Sequence, residues 1–168
     1  MHFQFSYYVM KYYVADIQGV ELMVEDQFVV FHIGKQKYAV PIKQVNEIIG
    51  YTVPTKIPLS REYILGVINL RGKIIPIINL GEKIGRENEK RNDEQEIIII
   101  EDREGVFGAI VDEVEDIIRI PKDSIKNINY DVYNRNEYMI GIAKQDNYLV
   151  VILDLNLFWR KCLNEIYN

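Results

Sequence analysis

The sequence predicts a mainly β fold of two similar halves, small barrels or a sandwich, closed by a helix at the C-terminus. Three observations lead there. Ile and Val supply 43 of the 168 residues, while Leu gives 10 and Ala 4. Branched Cβ atoms suit pleated strands and lose rotamer freedom in helices. Apolar runs are short and numerous, with turn residues between them at roughly 8–12-residue spacing. The chain also aligns on itself.

The self-alignment has two ungapped blocks. Gln27 to Ile49 falls on Glu96 to Ile118 at an offset of 69, which sets Phe28-Val29-Val30-Phe31 on Ile97-Ile98-Ile99-Ile100. Gly66 to Leu80 falls on Gly141 to Leu155 at an offset of 75, which sets GVINLRGKIIPIINL on GIAKQDNYLVVILDL. Two long blocks in the same order favour duplication, with one barrel expected from each half, roughly 27–80 and 96–155. A barrel of about 70 residues has a thin core, so the halves are expected to bury apolar faces against each other.

Each half reads in the same order. A buried strand (Gln27 to Ile33, Glu96 to Glu101) meets a polar turn at Gly34-Lys35-Gln36-Lys37 or Asp102-Arg103-Glu104-Gly105. A second strand follows, then one helical turn carrying Ile42 and Val45, or Val111 and Val114. Pro54, Pro58 and Pro121 interrupt what comes next. Ser60 is placed to cap a short helix ending before Gly66. A hairpin closes each half, turned at Arg71-Gly72 and at Asp146-Asn147. Between the halves, GRENEKRNDEQE (85–96) has no apolar side chain and reads as a solvated linker or loop. From 154 to 168, Leu155, Phe158, Cys162, Leu163 and Ile166 recur at helical spacing.

Composition excludes several functions. Twenty basic residues against 25 acidic ones leave a net charge of −5, with no basic run to attract nucleic acid. Cys162 is the single cysteine, so no internal disulfide forms and a reducing, cytoplasmic compartment is expected. No apolar stretch reaches the length of a membrane span, and direct membrane insertion is not expected. Residues 1–22, rich in aromatics, lack the signal-peptide pattern, and Met23 directly precedes the first convincing strand. They read either as an upstream extension or start-site misassignment outside the folded unit, or as an ordered segment.

Catalytic and cofactor chemistry finds no footing. His2 and His32 are the only histidines, and His32 alternates with strand residues. One cysteine without a histidine pair gives neither a zinc site nor a nucleophile with its base. No two glycines are one residue apart, which removes the dinucleotide fingerprint. The acidic run from Asp112 to Asp116 lacks the glycine and spacing of a calcium loop and reads as a solvated face. No cofactor is expected.

The hairpin GVINLRGKIIPIINL, with YAVPIKQVNEII before it, resembles the hallmark stretch of CheW-type coupling proteins and of the regulatory domain of the histidine kinase CheA. The matching residues are Val45, Glu47 and Ile48, then Gly66, Val67, Asn69, Leu70, Arg71, Gly72, Pro76 and Leu80. The resemblance covers most of 23–158. It implies two pseudo-symmetric five-stranded SH3-like barrels sharing a core. It also implies a non-catalytic adaptor that binds CheA and the cytoplasmic tip of chemoreceptors (methyl-accepting chemotaxis proteins). A coupling protein of another array-like pathway, such as surface motility, or a generic β-barrel binding module would read similarly.

Five residues are candidates for partner binding: Val45, Glu47, Arg71, Gly72 and Ile117. Val45, Glu47 and Ile117 match family positions implicated in binding, although Val45 and Ile117 also sit on apolar repeats that a core would use. Gly72 suits a turn needing positive φ, a conformation expected of Asn147 in the second copy. Arg71 falls on Asp146, so the repeat itself requires no cation there. Its planar fork suits bidentate pairing with a carboxylate, inside the domain or on a partner.

Overall fold

The computed structural model describes residues 26–127 and 138–167, so the expected extension 1–22 lies outside the described residues. The elements in order are β1 (Gln27–Ile33), β2 (Gln36–Pro41), a 3-10 turn (Ile42–Gln44), β3 (Val45–Gly50), β4 (Ile64–Leu70), β5 (Lys73–Asn79) and α1 (Leu80–Lys83). After a second 3-10 turn (Asn92–Glu94) come β6 (Glu96–Asp102), β7 (Gly105–Val111) and β8 (Glu113–Arg119). A third 3-10 turn (Lys122–Ser124) leads to β9 (Ile125–Lys126), β10 (Met139–Gln145), β11 (Tyr148–Leu153) and α2 (Leu155–Tyr167).

Two sheets form, ordered β8-β1-β2-β11-β10-β9 and β3-β6-β7-β5-β4. Replacing each strand by its repeat partner turns the first five strands of one order into the other. These are the two SH3-like barrels, called here the β1 barrel and the β6 barrel. The short β9 is an addition whose counterpart is a lone bridge between Thr55 and Val67.

The duplication extends to irregularities. The β3–β6 pairing slips at Asn46 and the β1–β8 pairing at Glu115, positions 69 apart. The hairpins slip at Leu65 and at Ile140, positions 75 apart. Asn79 N–H donates to Tyr63 O at 2.8 Å, as Asp154 N–H does to Tyr138 O at 2.7 Å. Gly66, at φ +142, passes so close to Thr55 that a Cβ would lie 2.1 Å from its carbonyl oxygen, and at Gly141 the Lys126 oxygen would lie 2.7 Å away.

The barrels do not coincide with the halves. β5 of the first half pairs in parallel with β7 of the second, and β11 of the second with β2 of the first. Each barrel therefore takes strands from both repeats, contrary to the one-barrel-per-half expectation. The core explains the exchange. Along β1, Val29, Phe31 and Ile33 face a central cluster, while Phe28 and Val30 fill the β1 barrel. Along β6, Ile98 and Ile100 face the same central cluster, and Ile97 and Ile99 fill the β6 barrel. Strands buried on both faces read as unbroken apolar runs, which is what FVVF and IIII are.

Local readings divide. The turn at Ile42–Gln44 is present, but its expected counterpart at Val111–Val114 is a corner between β7 and β8. Ser60 caps no helix: Arg61 O accepts from Ile64 N–H and the chain enters β4 directly, with Ser60 Oγ donating to Ile57 O at 3.0 Å. Helix α2 follows its predicted stripe, with Leu155, Phe158 and Cys162 fully buried. Asp154 Oδ1 caps it, accepting from Leu157 N–H and Gln44 Nε2, both at 3.0 Å.

Asp112 accounts for that corner. Its buried carboxylate accepts from Gly34 N–H at 2.7 Å, Glu89 N–H at 2.9 Å, Lys90 N–H at 3.2 Å, Asn88 Nδ2 at 3.1 Å and Gln95 Nε2 at 3.3 Å. The segment 85–96, expected to be simply solvated, is tied down by these bonds. Burial pushes the Asp112 pKa up, but the donors from Glu89, Gly34, Asn88 and Gln95 outweigh it and hold it below the usual carboxylate value. A depressed folded-state pKa contributes stability that is present above about pH 4 and lost as pH falls through the lowered value. Asp112→Asn should therefore cost about 2–3 kcal/mol near neutrality, through donors left facing an amide. It should also flatten the acid limb of stability, read by urea unfolding between pH 3 and pH 7. An unchanged acid limb would show that other carboxylates govern it.

Gly66→Ala should lower the stability read by urea unfolding by more than about 2 kcal/mol, because the added Cβ would collide with the backbone of Thr55. Gly85→Ala is the control: φ is +72 there, but a Cβ would meet nothing within 4 Å. Equal losses at both positions would mean that conformation rather than close approach sets the cost.

Candidate functional site

The β6 barrel is ordered from β3 at one edge to β4 at the other. Its outer strands are joined by one side-chain pair. From the β4–β5 turn, Arg71 Nη1 donates to Glu47 Oε1 at 2.7 Å and Nη2 to Oε2 at 2.8 Å, a bidentate fork onto β3. Glu47 is nearly buried, whereas the Arg71 side chain is 73 % exposed. The anion is thus sheltered and its partner presented to solvent. The hydrogen bonds that Arg71 donates to Glu47, then the Glu47 charge, hold the guanidinium pKa above its already high value.

Local sequence explains how this pair is positioned. The slip at Asn46 breaks the alternation of β3, so that Val45 and Ile48, three residues apart, both pack in the central cluster, with Glu47 buried between them and Asn46 exposed. The turn has positive φ at both central residues, Arg71 (+51) and Gly72 (+85), the pattern of a type I′ hairpin. Asn69 Oδ1 accepts from Gly72 N–H at 2.9 Å and fixes it. Glycine is natural at the second position. Arginine at the first is not, since left-handed backbone favours Gly, Asn or Asp there. The other copy uses Asp146 (φ +31), and Asn147 does not take the positive φ expected of it.

The counterparts of Glu47 and Arg71 are Asp116 and Asp146, two acids, so the β1 barrel has no equivalent bridge. Asp116 Oδ1 instead accepts from Ile117 N–H at 2.7 Å. An arginine in a disfavoured conformation, on one barrel of a duplicated pair, is not explained by the shared architecture.

A polar strip continues the site. Lys73 Nζ lies 3.2 Å from Glu101 Oε1, and Asn46 Nδ2 donates to the other Glu101 oxygen. Ile74 beside them is 62 % exposed. Sequence reading missed these four residues. Ile74 had a signal, since its repeat partner Leu149 is the same kind of exposed apolar residue next to the turn.

The predicted candidates divide. Glu47, Arg71 and Gly72 come together. Val45 is 1 % exposed and packs in the central cluster, so the direct contact expected of it is not available in this conformation. Ile117 sits on β8 of the other barrel, half-buried against that cluster.

Elsewhere the chemistry is quiet. His32 Nε2 lies 2.8 Å from Glu115 Oε2 on adjacent strands. Burial pushes the Cys162 thiol up to about 11, far from a reactive thiolate. Among the described residues no three His, Cys, Asp or Glu side chains group to hold a metal, and no helix is long and apolar enough to cross a membrane.

Comparison with known proteins places the chain. Residues 27–161 match the CheW-like domain family. The chain is 33 % identical over 135 residues to the chemotaxis protein CheW of Helicobacter pylori, covering 80 % of this chain and 82 % of that protein. It is 35 % identical over 137 residues to the chemotaxis protein CheW of Bacillus subtilis, covering 81 % and 88 %. The crystal structure of the scaffolding protein TtCheW from Thermoanaerobacter tengcongensis superposes with a TM-score of 0.72 at 35 % identity, over 78 % of this chain and 85 % of that one. With its paired barrels and its Glu47–Arg71 hairpin, the chain belongs to the CheW-like domain family of chemotaxis scaffolds.

Proposed function

We propose that this chain is a non-catalytic cytoplasmic adaptor that couples chemoreceptors to the histidine kinase CheA, binding the kinase's regulatory domain and the receptor's cytoplasmic tip. The observation that carries the reading is the exposed guanidinium of Arg71, locked by Glu47 and held on a turn that the repeat builds without it. A pre-oriented arginine loses little freedom on binding and can still donate from its outer edge to a second carboxylate or carbonyl. Glu47, Arg71 and Gly72 form the core of the proposed surface. Ile117 contributes from the β1 barrel, and Val45 supports β3 from behind. The names of the relatives, chemotaxis proteins and a scaffolding protein, support the adaptor role.

The test is a reconstituted array of receptor fragments, CheA and this chain, scored by receptor-dependent autophosphorylation. Arg71→Ala should leave the circular dichroism spectrum and thermal midpoint close to wild type, while receptor control of the kinase falls several-fold. Full control with Arg71→Ala would remove the residue from the mechanism. The reversed pair, Glu47→Arg with Arg71→Glu, separates two modes of action. Recovery of control means the bridge acts by ordering the barrel edge, and continued failure means the arginine itself meets a partner.

A further inference from the structure

The other end of β4 carries a second feature, and the adaptor reading makes no use of it. Counting the strand rise, Leu65 lies about 20 Å from the Arg71 turn. There the mouth of the β6 barrel opens into a cavity of about 370 Å³ between the chain leaving β3, the start of β4 and the segment 88–95. Its floor is apolar, with Leu65 partly exposed and Ile110 buried, and its rim carries Lys56, Lys90, Asn79 and Asn92.

The charge of this rim runs against that of the molecule. The chain has 25 acidic residues, three of them (Glu89, Asp93 and Glu94) in the segment 88–95 beside the cavity, yet no carboxylate lines it. Lys90 is paired with Glu113 at 2.8 Å, whereas Lys56 has no ion-pair partner among the described residues. The wall is built in advance: Asp112 holds the backbone N–H groups of Glu89 and Lys90 and the side chains of Asn88 and Gln95. A pre-ordered wall spares a ligand the entropy of arranging it.

We propose that this cavity docks a short, extended, acidic segment of a protein partner, with a carboxylate on Lys56 and an adjacent apolar side chain over Leu65. Side-chain amides around the rim can both donate to and accept from a peptide backbone. A small inorganic anion would leave the apolar floor uncovered, which is why the occupant is a peptide.

The experiment is an amide-shift titration of the intact ¹⁵N-labelled chain with a blocked Glu-Leu-Glu tripeptide, its Gln-Leu-Gln counterpart, and sodium glutamate alone. The acidic tripeptide should shift the amides of Tyr51, Lys56, Asn92 and Gln95 saturably. The amide counterpart should bind at least about tenfold more weakly, and Lys56→Glu should weaken the acidic peptide by a similar factor. Lys56 is an exposed loop residue, so this variant keeps the fold. Equal binding of both tripeptides, shifts confined to other regions, or no saturable shift at millimolar peptide would each overturn the proposal. So would glutamate alone reproducing the full effect, which would make this a small-anion site.

Discussion

Burial of β1 and β6 on both faces is the constraint from which the rest of the architecture follows. Each strand faces its own barrel with one set of side chains and the shared core with the other: Phe28 and Val30 against Val29, Phe31 and Ile33, and Ile97 and Ile99 against Ile98 and Ile100. A strand of this kind needs cover on two sides, and a single repeat of about 70 residues cannot supply it. Exchange of strands between the repeats solves the problem, because β7 and β2 then pair in parallel with β5 and β11 of the opposite half. Helix α2 covers the central cluster with Leu155, Phe158, Trp159 and Cys162. The two barrels thus share one core.

Function on such a frame must come from departures from its symmetry. The slips at Asn46 and Glu115, the glycines at 66 and 141, and the carbonyls of Tyr63 and Tyr138 all recur. Recurrence marks them as parts of the architecture. The Glu47–Arg71 fork does not recur, and neither does the hold of Asp112 on the segment 85–96, since the residue matching Asp112 is Lys43. Both unmatched features lie around the β6 barrel. One sets an arginine at its edge, and the other shapes the wall of its mouth.

Much of the fold was legible because its signals are local. Unbroken apolar runs, β-branched composition and turn residues marked the strands, and the offsets of 69 and 75 gave the duplication. The pairing of β5 with β7 leaves no trace in periodicity, since a parallel partner is chosen by long-range packing, so the repeat alone assigns one barrel to each half. The corner at Asp112 looks like a helical turn in the sequence because its determinants, Gly34 and residues 88–95, are distant along the chain. Within the site, Arg71 stood out because its repeat partner is acidic, and a carboxylate partner could be expected from guanidinium geometry. Val45 is different. Its apolar repeat already allowed a core position, and the strand slip that lets it share the central cluster with Ile48 has no signature in the apolar pattern.

The central claim is that Arg71 keeps its strained turn in order to present a guanidinium to a partner, on a barrel edge already locked by Glu47. Its most direct measurement is nitrogen-detected NMR of the Arg71 Nε–H group while the CheA regulatory domain, and separately a receptor hairpin fragment, is added to the labelled chain. The account predicts that at least one partner shifts the Arg71 side-chain signal and the Glu47 amide, with core amides such as those of Ile98 and Val29 unmoved. Saturating binding of both partners with the Arg71 and Glu47 signals unchanged would contradict it.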